Sequence, residues 1–107
     1  MALLEKAALA VMMVGSTHVL DLGGKEAFIY YETDKLAHML LPDGTAFTGE
    51  WRLEDKGYSV DWQGGPSASW ALDNYQPGKI GYVDASGERR ADLIRIEFGN
   101  SENLPRQ

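Results

Sequence analysis

The two histidines are the residues of this sequence that could take part in the most kinds of chemistry, as an acid, a base or a metal ligand. His18 and His38 lie in different predicted strands, and no cysteine or second histidine stands at a metal-ligand spacing from either. A lone histidine is more often a surface residue or a hydrogen-bonded core residue than a metal ligand. We therefore predict no metal site and no cofactor.

Serine and acidic side chains give no stronger sign of catalysis. The segment from Gly65 to Ser69 lacks the Gly-x-Ser-x-Gly pattern, and it precedes a strand instead of forming a strand-to-helix turn. No glycine-rich phosphate loop occurs. Several aspartates fall in predicted turns, where the side chain can bond the backbone locally: Asp34, Asp43, Asp55 and Asp84. We predict no catalytic residues, and an enzyme with a histidine or carboxylate base in a pocket ranks last among the functions considered.

Two charged residues lie within predicted strands. Asp61 stands on the face opposite Tyr58 and Trp62, which predicts that it faces solvent. Arg95 faces water if Ile94, Ile96 and Phe98 face the core. In the reversed register, a buried Arg95 would need a charged partner and would mark a ligand site.

Composition limits the classes of partner. The 107 residues fit one domain, predicted over residues 1–107, and carry a net charge of −6. This charge disfavours nucleic acid, because binding to phosphate backbones depends on Lys and Arg. The absence of cysteine excludes disulfides and favours a reducing compartment such as the cytoplasm. The oligomeric state stays open.

The predicted strands are organised around the stretch from Pro42 to Trp51. Pro42-Asp43-Gly44 is a tight-turn signal, since proline presets φ and glycine accepts positive φ. The residues that follow alternate, and Phe47, Gly49, Trp51 and Leu53 share one face. A glycine between two aromatic residues on one face leaves room for a close neighbour or lets the strand bend, as in a barrel wall.

Turn signals recur about every ten residues, the spacing typical of an all-β barrel or sandwich. Connections this short join antiparallel neighbours, because a parallel crossover needs a dozen or more residues. We therefore predict an all-β fold, an antiparallel up-and-down eight-stranded barrel or a strongly curved meander over residues 17–98, with a short N-terminal helix. The predicted strands are Thr17 to Leu22, Ala27 to Glu32, Lys35 to Leu41, Thr45 to Glu54, Tyr58 to Gln63, Ala68 to Asp73, Lys79 to Val83 and Leu93 to Phe98.

The two ends of the chain differ in character. Residues 2–14 carry an apolar stripe of helical period, which predicts a short, largely buried helix. A processed signal peptide is the alternative, although Glu5 beside Lys6 leaves the leading segment without a clear basic charge. The apolar run is too short to span a bilayer. Residues 99–107 are polar and predict a loose tail.

A set of short motifs resembles a group of short bacterial domains of uncharacterised function. The matching words are Gly15-Ser16-Thr17, Tyr30-Tyr31, Asp43-Gly44, Gly49-Glu50-Trp51, Tyr58-Ser59-Val60-Asp61-Trp62 and the closing Gly99 to Leu104. The resemblance implies a small calycin-like barrel, often in exported proteins, which keeps the periplasm open as a location. Ser59 and Ser69 stand roughly where the group tends to carry a cysteine pair, so the resemblance also implies that these two residues are neighbours on adjacent strands.

Aromatic side chains are the remaining signal of function. If one face of each strand points inward, several rings converge, in a barrel just wide enough to be filled or to hold one small ligand. The leading hypothesis is a non-catalytic module that binds a small apolar or aromatic molecule. Its predicted ligand-binding residues are Phe47, Trp51, Tyr58, Trp62 and Trp70. The alternative is a protein-interaction module, an inhibitor or adaptor that uses the barrel rim or an edge strand.

Overall fold

Eight antiparallel strands form a closed barrel, and one short helix precedes them in the chain. The computed structural model describes residues 3–104. Each strand pairs with the next along the chain, and the last pairs with the first. The predicted up-and-down eight-stranded barrel is therefore confirmed. The elements are α1 (Lys6–Met13), β1 (Ser16–Asp21), β2 (Glu26–Tyr31), β3 (Leu36–Leu40), β4 (Ala46–Glu54), β5 (Gly57–Trp62), β6 (Ser67–Gln76), β7 (Lys79–Val83) and β8 (Arg89–Phe98).

The helix α1 covers one end of the barrel. Leu9 and Met13 are fully buried, but Val11 is 84 % exposed, so the prediction of a largely buried helix is wrong. The Lys6 N–H donates to the Asp55 carbonyl in the turn after β4. The helix begins later than the predicted residue 2, because the Leu4 N–H donates to the Leu72 carbonyl and Leu3 bridges to β6. Ala2, where the predicted helix began, lies outside the described residues.

Strand β4 approaches β5 closely at Gly49. A Cβ at this position would meet the Asp61 carbonyl, and it would lie 2.8 Å from the Trp62 Cα. Glycine is therefore required here for the approach of the two backbones. Two residues further on, Trp51 is only 2 % exposed, as its predicted inward position requires. Asp61 faces solvent, also as predicted, and lies 3.5 Å from Arg52.

The β5–β6 hairpin brings Ser59 and Ser69 opposite each other. They are register partners, and their hydroxyl oxygens lie 2.9 Å apart. Ser59 also donates to the Glu54 carboxylate at 2.7 Å. The predicted adjacency of this pair is therefore found.

Replacing both serines by cysteine should allow an intramolecular disulfide. Directly paired residues on adjacent antiparallel strands lie within the Cα separation of ~4.4 to 6.8 Å that a disulfide accepts. We expect the oxidised double variant to gain about 2 to 3 kcal/mol of stability, a modest value because the closed loop has only about eleven residues. Urea unfolding of the oxidised and reduced forms measures this gain. Thiols that react only after denaturation would contradict the register.

The C-terminal half of β8 lies at the surface. Ile94, Ile96 and Phe98 are 46 %, 40 % and 92 % exposed, so the expectation that they face the core is wrong. The cause is that β8 pairs with β7 only up to Leu93. Ile94 is the residue skipped at a register shift, and residues 95–98 pair with β1 alone. Arg95 faces water, beside the carboxylates of Glu26, Glu97 and Glu102.

Residues 99–104 return along the start of β1. The Thr17 hydroxyl donates to the Gly99 carbonyl at 2.6 Å, and the Gly99 N–H donates to the Gly15 carbonyl. Asn100 closes a turn through two hydrogen bonds with Leu104, whose side chain is buried. The rest of the predicted tail, residues 105–107, lies outside the described residues.

Candidate functional site

An apolar cavity opens at the end of the barrel opposite α1. Its walls come from the ends of strands that meet at the β1–β2, β3–β4, β5–β6 and β7–β8 turns. Its volume is about 210 Å³. This exceeds an engineered cavity of ~150 Å³ that binds benzene, so a substituted benzene ring fits. The lining residues are Leu20, Leu22, Ala27, Ile29, Met39, Leu41, Tyr58, Trp62, Pro66, Ala68, Trp70, Tyr82, Arg90 and Ala91.

The structure divides the predicted ligand-binding residues into two groups. Tyr58, Trp62 and Trp70 line the cavity. Trp51 and Phe47 are not among the lining residues. Trp51 lies deeper, where its indole N–H donates to the Thr33 carbonyl at 2.8 Å. The Phe47 ring lies beside Gly65, where an added Cβ would be 2.9 Å from it.

A cluster of aromatic rings fills the barrel between the cavity and α1. Tyr31 packs against Trp51 with ring centroids 4.8 Å apart, and it meets Tyr58 edge to face at 5.6 Å. Tyr58 and Tyr82 belong both to this cluster and to the cavity wall. The barrel is therefore packed toward the helix and hollow toward the opposite end.

Four polar side chains are joined inside this aromatic cluster. The His18 Nδ1 lies 2.6 Å from the Tyr82 hydroxyl, which is 2.8 Å from the Tyr31 hydroxyl. The Tyr31 hydroxyl in turn lies 2.8 Å from that of Tyr58. At the other end, the His18 Nε2 lies 3.1 Å from the carbonyl of Met12 in α1. This chain of hydrogen bonds connects the helix to the cavity wall.

Burial fixes the protonation of the cluster near neutral pH. It lowers the pKa of His18 from 6.5 to about 4, against a smaller opposing effect of the hydrogen bond to Met12. It also raises the pKa of Tyr31, Tyr58 and Tyr82 above the ordinary phenol value. All four side chains are therefore neutral at pH 7, and the site suits a neutral ligand.

Among the described residues of the cavity lining, Arg90 is the one with a charged side chain, and acidic neighbours bind it. Its Nε donates to the Asp84 carboxylate at 2.6 Å, and a second nitrogen lies 3.5 Å from Glu88. Hydrogen bonds from Ser86 and Arg90 also lower the pKa of Asp84. The positive charge of Arg90 is therefore already compensated at the cavity opening.

A second polar cluster lies outside the barrel wall. The His38 Nε2 is 2.7 Å from a Glu32 oxygen, and its Nδ1 is 2.9 Å from the Thr48 hydroxyl. Because a carboxylate only accepts, His38 donates to Glu32 and accepts from Thr48. Thr48, His38 and Glu32 are therefore arranged like a nucleophile, a base and an acidic residue that orients the base. His38 is 1 % exposed and stacks on Tyr30, so the cluster serves as a cross-strand link between β2, β3 and β4.

Residues 3–104 lack two further features. No group of three or more His, Asp or Glu side chains there has a geometry that could hold a metal ion. Within the same range, no helix has the length and apolarity needed to cross a membrane.

The fold and the cavity define a closed antiparallel β-barrel with an apolar chamber at one end. Comparisons with models of protein families, with curated proteins and with solved structures found no match. The resemblance to a group of bacterial domains, and the calycin-like relationship that it implies, therefore stay predictions.

The sequence did not predict the chain of hydrogen bonds that begins at His18, nor the hydrogen bonds of His38 with Glu32 and Thr48. Each histidine was treated alone, whereas its partners come from other strands. His18 is register partner to Ile29, two residues before Tyr31, and Thr48 is register partner to His38. Cross-strand register, once assigned, would have placed Thr48 beside His38, whereas Tyr58 and Tyr82 lie on strands that do not pair with β1.

Proposed function

We propose that this protein is a non-catalytic binding module that holds a small apolar or aromatic molecule in the barrel cavity. The observation that carries the proposal is a chamber of about 210 Å³ with a mainly aliphatic and aromatic wall, open at one end and closed by packed aromatic rings at the other. A concave apolar site with a few polar groups is the usual form of a small-molecule site.

Toluene is a suitable first probe, because its ring fits the cavity and it does not absorb at the wavelength used to excite tryptophan. Trp62 and Trp70 line the cavity, so we expect toluene to change the tryptophan emission and to raise Tm. Ala68→Phe should abolish both effects, because the added ring occupies the chamber. Ala46→Phe is the matched control, since Ala46 is exposed and does not line the cavity.

Two results would contradict the proposal. One is a wild-type protein whose emission and Tm do not respond to toluene. The other is an Ala68→Phe variant that is folded and still responds as the wild type does. A small molecule that remains bound through purification would support the proposal and would identify the ligand by mass spectrometry.

A protein-interaction module is the second candidate, and one observation favours it. Residues 95–98 pair with β1 but with no described residue of β7, so this part of β8 offers an unpaired edge to an extended peptide. Arg95 and Glu97 on the same segment are the kind of charges that protect edges from pairing, which places this candidate second. Binding there would protect the amides of 95–98 from hydrogen exchange and leave the emission of Trp62 and Trp70 unchanged.

A further inference from the structure

The hydrogen-bond chain in the barrel has only one consistent direction. The Met12 carbonyl can only accept, so the proton of neutral His18 is on Nε2. The His18 Nδ1 then accepts, and the Tyr82 hydroxyl must donate to it. The single proton of Tyr82 is used by this bond.

The same count of protons applies to the hydroxyl groups of Tyr31 and Tyr58. Since the Tyr82 proton is used, Tyr31 must donate to the Tyr82 oxygen. Tyr58 must then donate to the Tyr31 oxygen. The Tyr82 hydroxyl is also a hydrogen-bond neighbour of Tyr58, but its proton is already donated to His18. With Tyr31 donating to Tyr82 and Tyr58 to Tyr31, the Tyr58 oxygen accepts from no other member.

Tyr58 is also where the chain meets the cavity. It lines the chamber and is only 1 % exposed, so bulk water is kept away from its hydroxyl. Tyr31, one step earlier in the chain, is fully buried and does not line the cavity. The open accepting position of the chain therefore belongs to a residue of the cavity wall.

We infer that the cavity selects a neutral molecule that carries a hydroxyl on an apolar body, such as a phenol, and that this hydroxyl donates to the Tyr58 oxygen. This inference rests on the proposed function. The walls around Tyr58 are mostly apolar, so this bond would fix the orientation of the ligand as well as its class.

Other polar groups of the cavity lining favour a ligand that ends in a hydrogen-bond acceptor. The indole N–H groups of Trp62 and Trp70 make no hydrogen bond to a described residue, and like the Arg90 guanidinium they can only donate. A ligand that ends in an acceptor would use them. Trp70 and Arg90 are partly exposed and reach water, however. The Trp62 indole nitrogen also has contact with solvent, because no fully buried side-chain nitrogen of residues 3–104 lacks a partner. The Tyr58 side chain, in contrast, is buried.

The test compares 4-ethylphenol with 4-ethylanisole, which keeps the ring and the oxygen but has no proton to donate. Calorimetry would measure both affinities in the wild type, in Tyr58→Phe and in Tyr75→Phe. The last variant is the matched control, because Tyr75 bonds to Asp92 outside the cavity lining. The ratio of the two affinities within one variant cancels any general weakening of the site.

We expect the ratio of phenol affinity to anisole affinity to fall by roughly threefold to tenfold in Tyr58→Phe, the range of one net hydrogen bond. The ratio in Tyr75→Phe should equal that of the wild type. An unchanged ratio in folded Tyr58→Phe would overturn the inference, as would tighter binding of the anisole by the wild type. If toluene binds and the ratio does not change, only this inference fails; if neither toluene nor the phenol binds, the proposed function fails with it.

Discussion

Trp51→Ala should lower the free energy of unfolding by about 3 to 5 kcal/mol, the usual cost of removing a large buried aromatic side chain. Trp51 is 2 % exposed and packs against Tyr31 and Tyr58, with ring centroids 4.8 and 5.7 Å away. Its truncation would also remove the indole donor of the Thr33 carbonyl. The loss is a large part of the ~5 to 15 kcal/mol that a domain has in total.

Two further variants make this prediction specific. Trp51→Phe keeps a ring in the core and should lose less than Trp51→Ala, and it remains measurable if the alanine variant does not fold. Trp70→Ala is the matched control, because Trp70 is only partly buried at the cavity wall. Urea unfolding gives all three midpoints. A Trp51→Ala midpoint equal to the wild type, or one above that of Trp70→Ala, would contradict the assigned role of Trp51 in the core.

The architecture could be predicted because its signals are local. Pro42-Asp43-Gly44 marks a turn by the φ preferences of its own residues, and alternation in β4 marks the face that Trp51 occupies. Short connections then leave only antiparallel pairing between neighbours. The Ser59–Ser69 pairing follows from one hairpin, so it too needed no information from distant strands.

The position of a residue along the barrel axis could not be predicted from these local signals. Alternation gives the inward face of a strand, but it does not say whether a ring lies near the helix or near the open end. Trp51 and Tyr58 both face inward, yet only Tyr58 reaches the cavity. That difference depends on the register of all eight strands, which is set by contacts between distant parts of the chain.

Burial of side chains on the outer face of the barrel could not be predicted either, because it also depends on contacts between distant parts of the chain. Thr17 and His38 face away from the barrel interior, and both are nevertheless buried. Thr17 bonds to the carbonyl of Gly99, a residue more than eighty positions away in the chain. Conversely, Phe98 reads as a core residue by alternation and is exposed, because β7 ends before it.

The second large effect concerns acidification and arises at His18. The folded protein keeps this imidazole neutral down to about pH 4, because burial lowers its pKa, whereas the unfolded chain binds a proton near the ordinary value of 6.5. The unfolded state therefore binds more protons between these two values, so stability falls as the pH falls from 6.5 to about 4. The full difference corresponds to about 3 kcal/mol.

Two carboxylates with lowered pKa values act in a lower range of pH. Hydrogen bonds lower the pKa of Asp84 and Glu97, so their contribution is present above their ordinary values of 3.8 and 4.5 and is lost as the pH falls below them. Measurements between pH 7 and pH 5 lie above this range. The hydrogen bond with Glu97 instead raises the pKa of Glu102, but this group is the same in the wild type and in His18→Phe, so the difference between the two proteins isolates the effect of His18.

Wild-type protein should lose about 2 kcal/mol of unfolding free energy between pH 7 and pH 5, and His18→Phe should lose much less over the same interval. Phenylalanine keeps a ring beside Tyr31, whose centroid lies 5.1 Å from that of His18, but it cannot bind a proton. His18→Phe should be less stable than the wild type at pH 7, since the Tyr82 hydroxyl loses its acceptor. His38→Gln is the control, because it removes the other histidine and should keep the loss due to His18. Urea unfolding at each pH would measure these values, and an equally steep loss in His18→Phe would show that another group causes it.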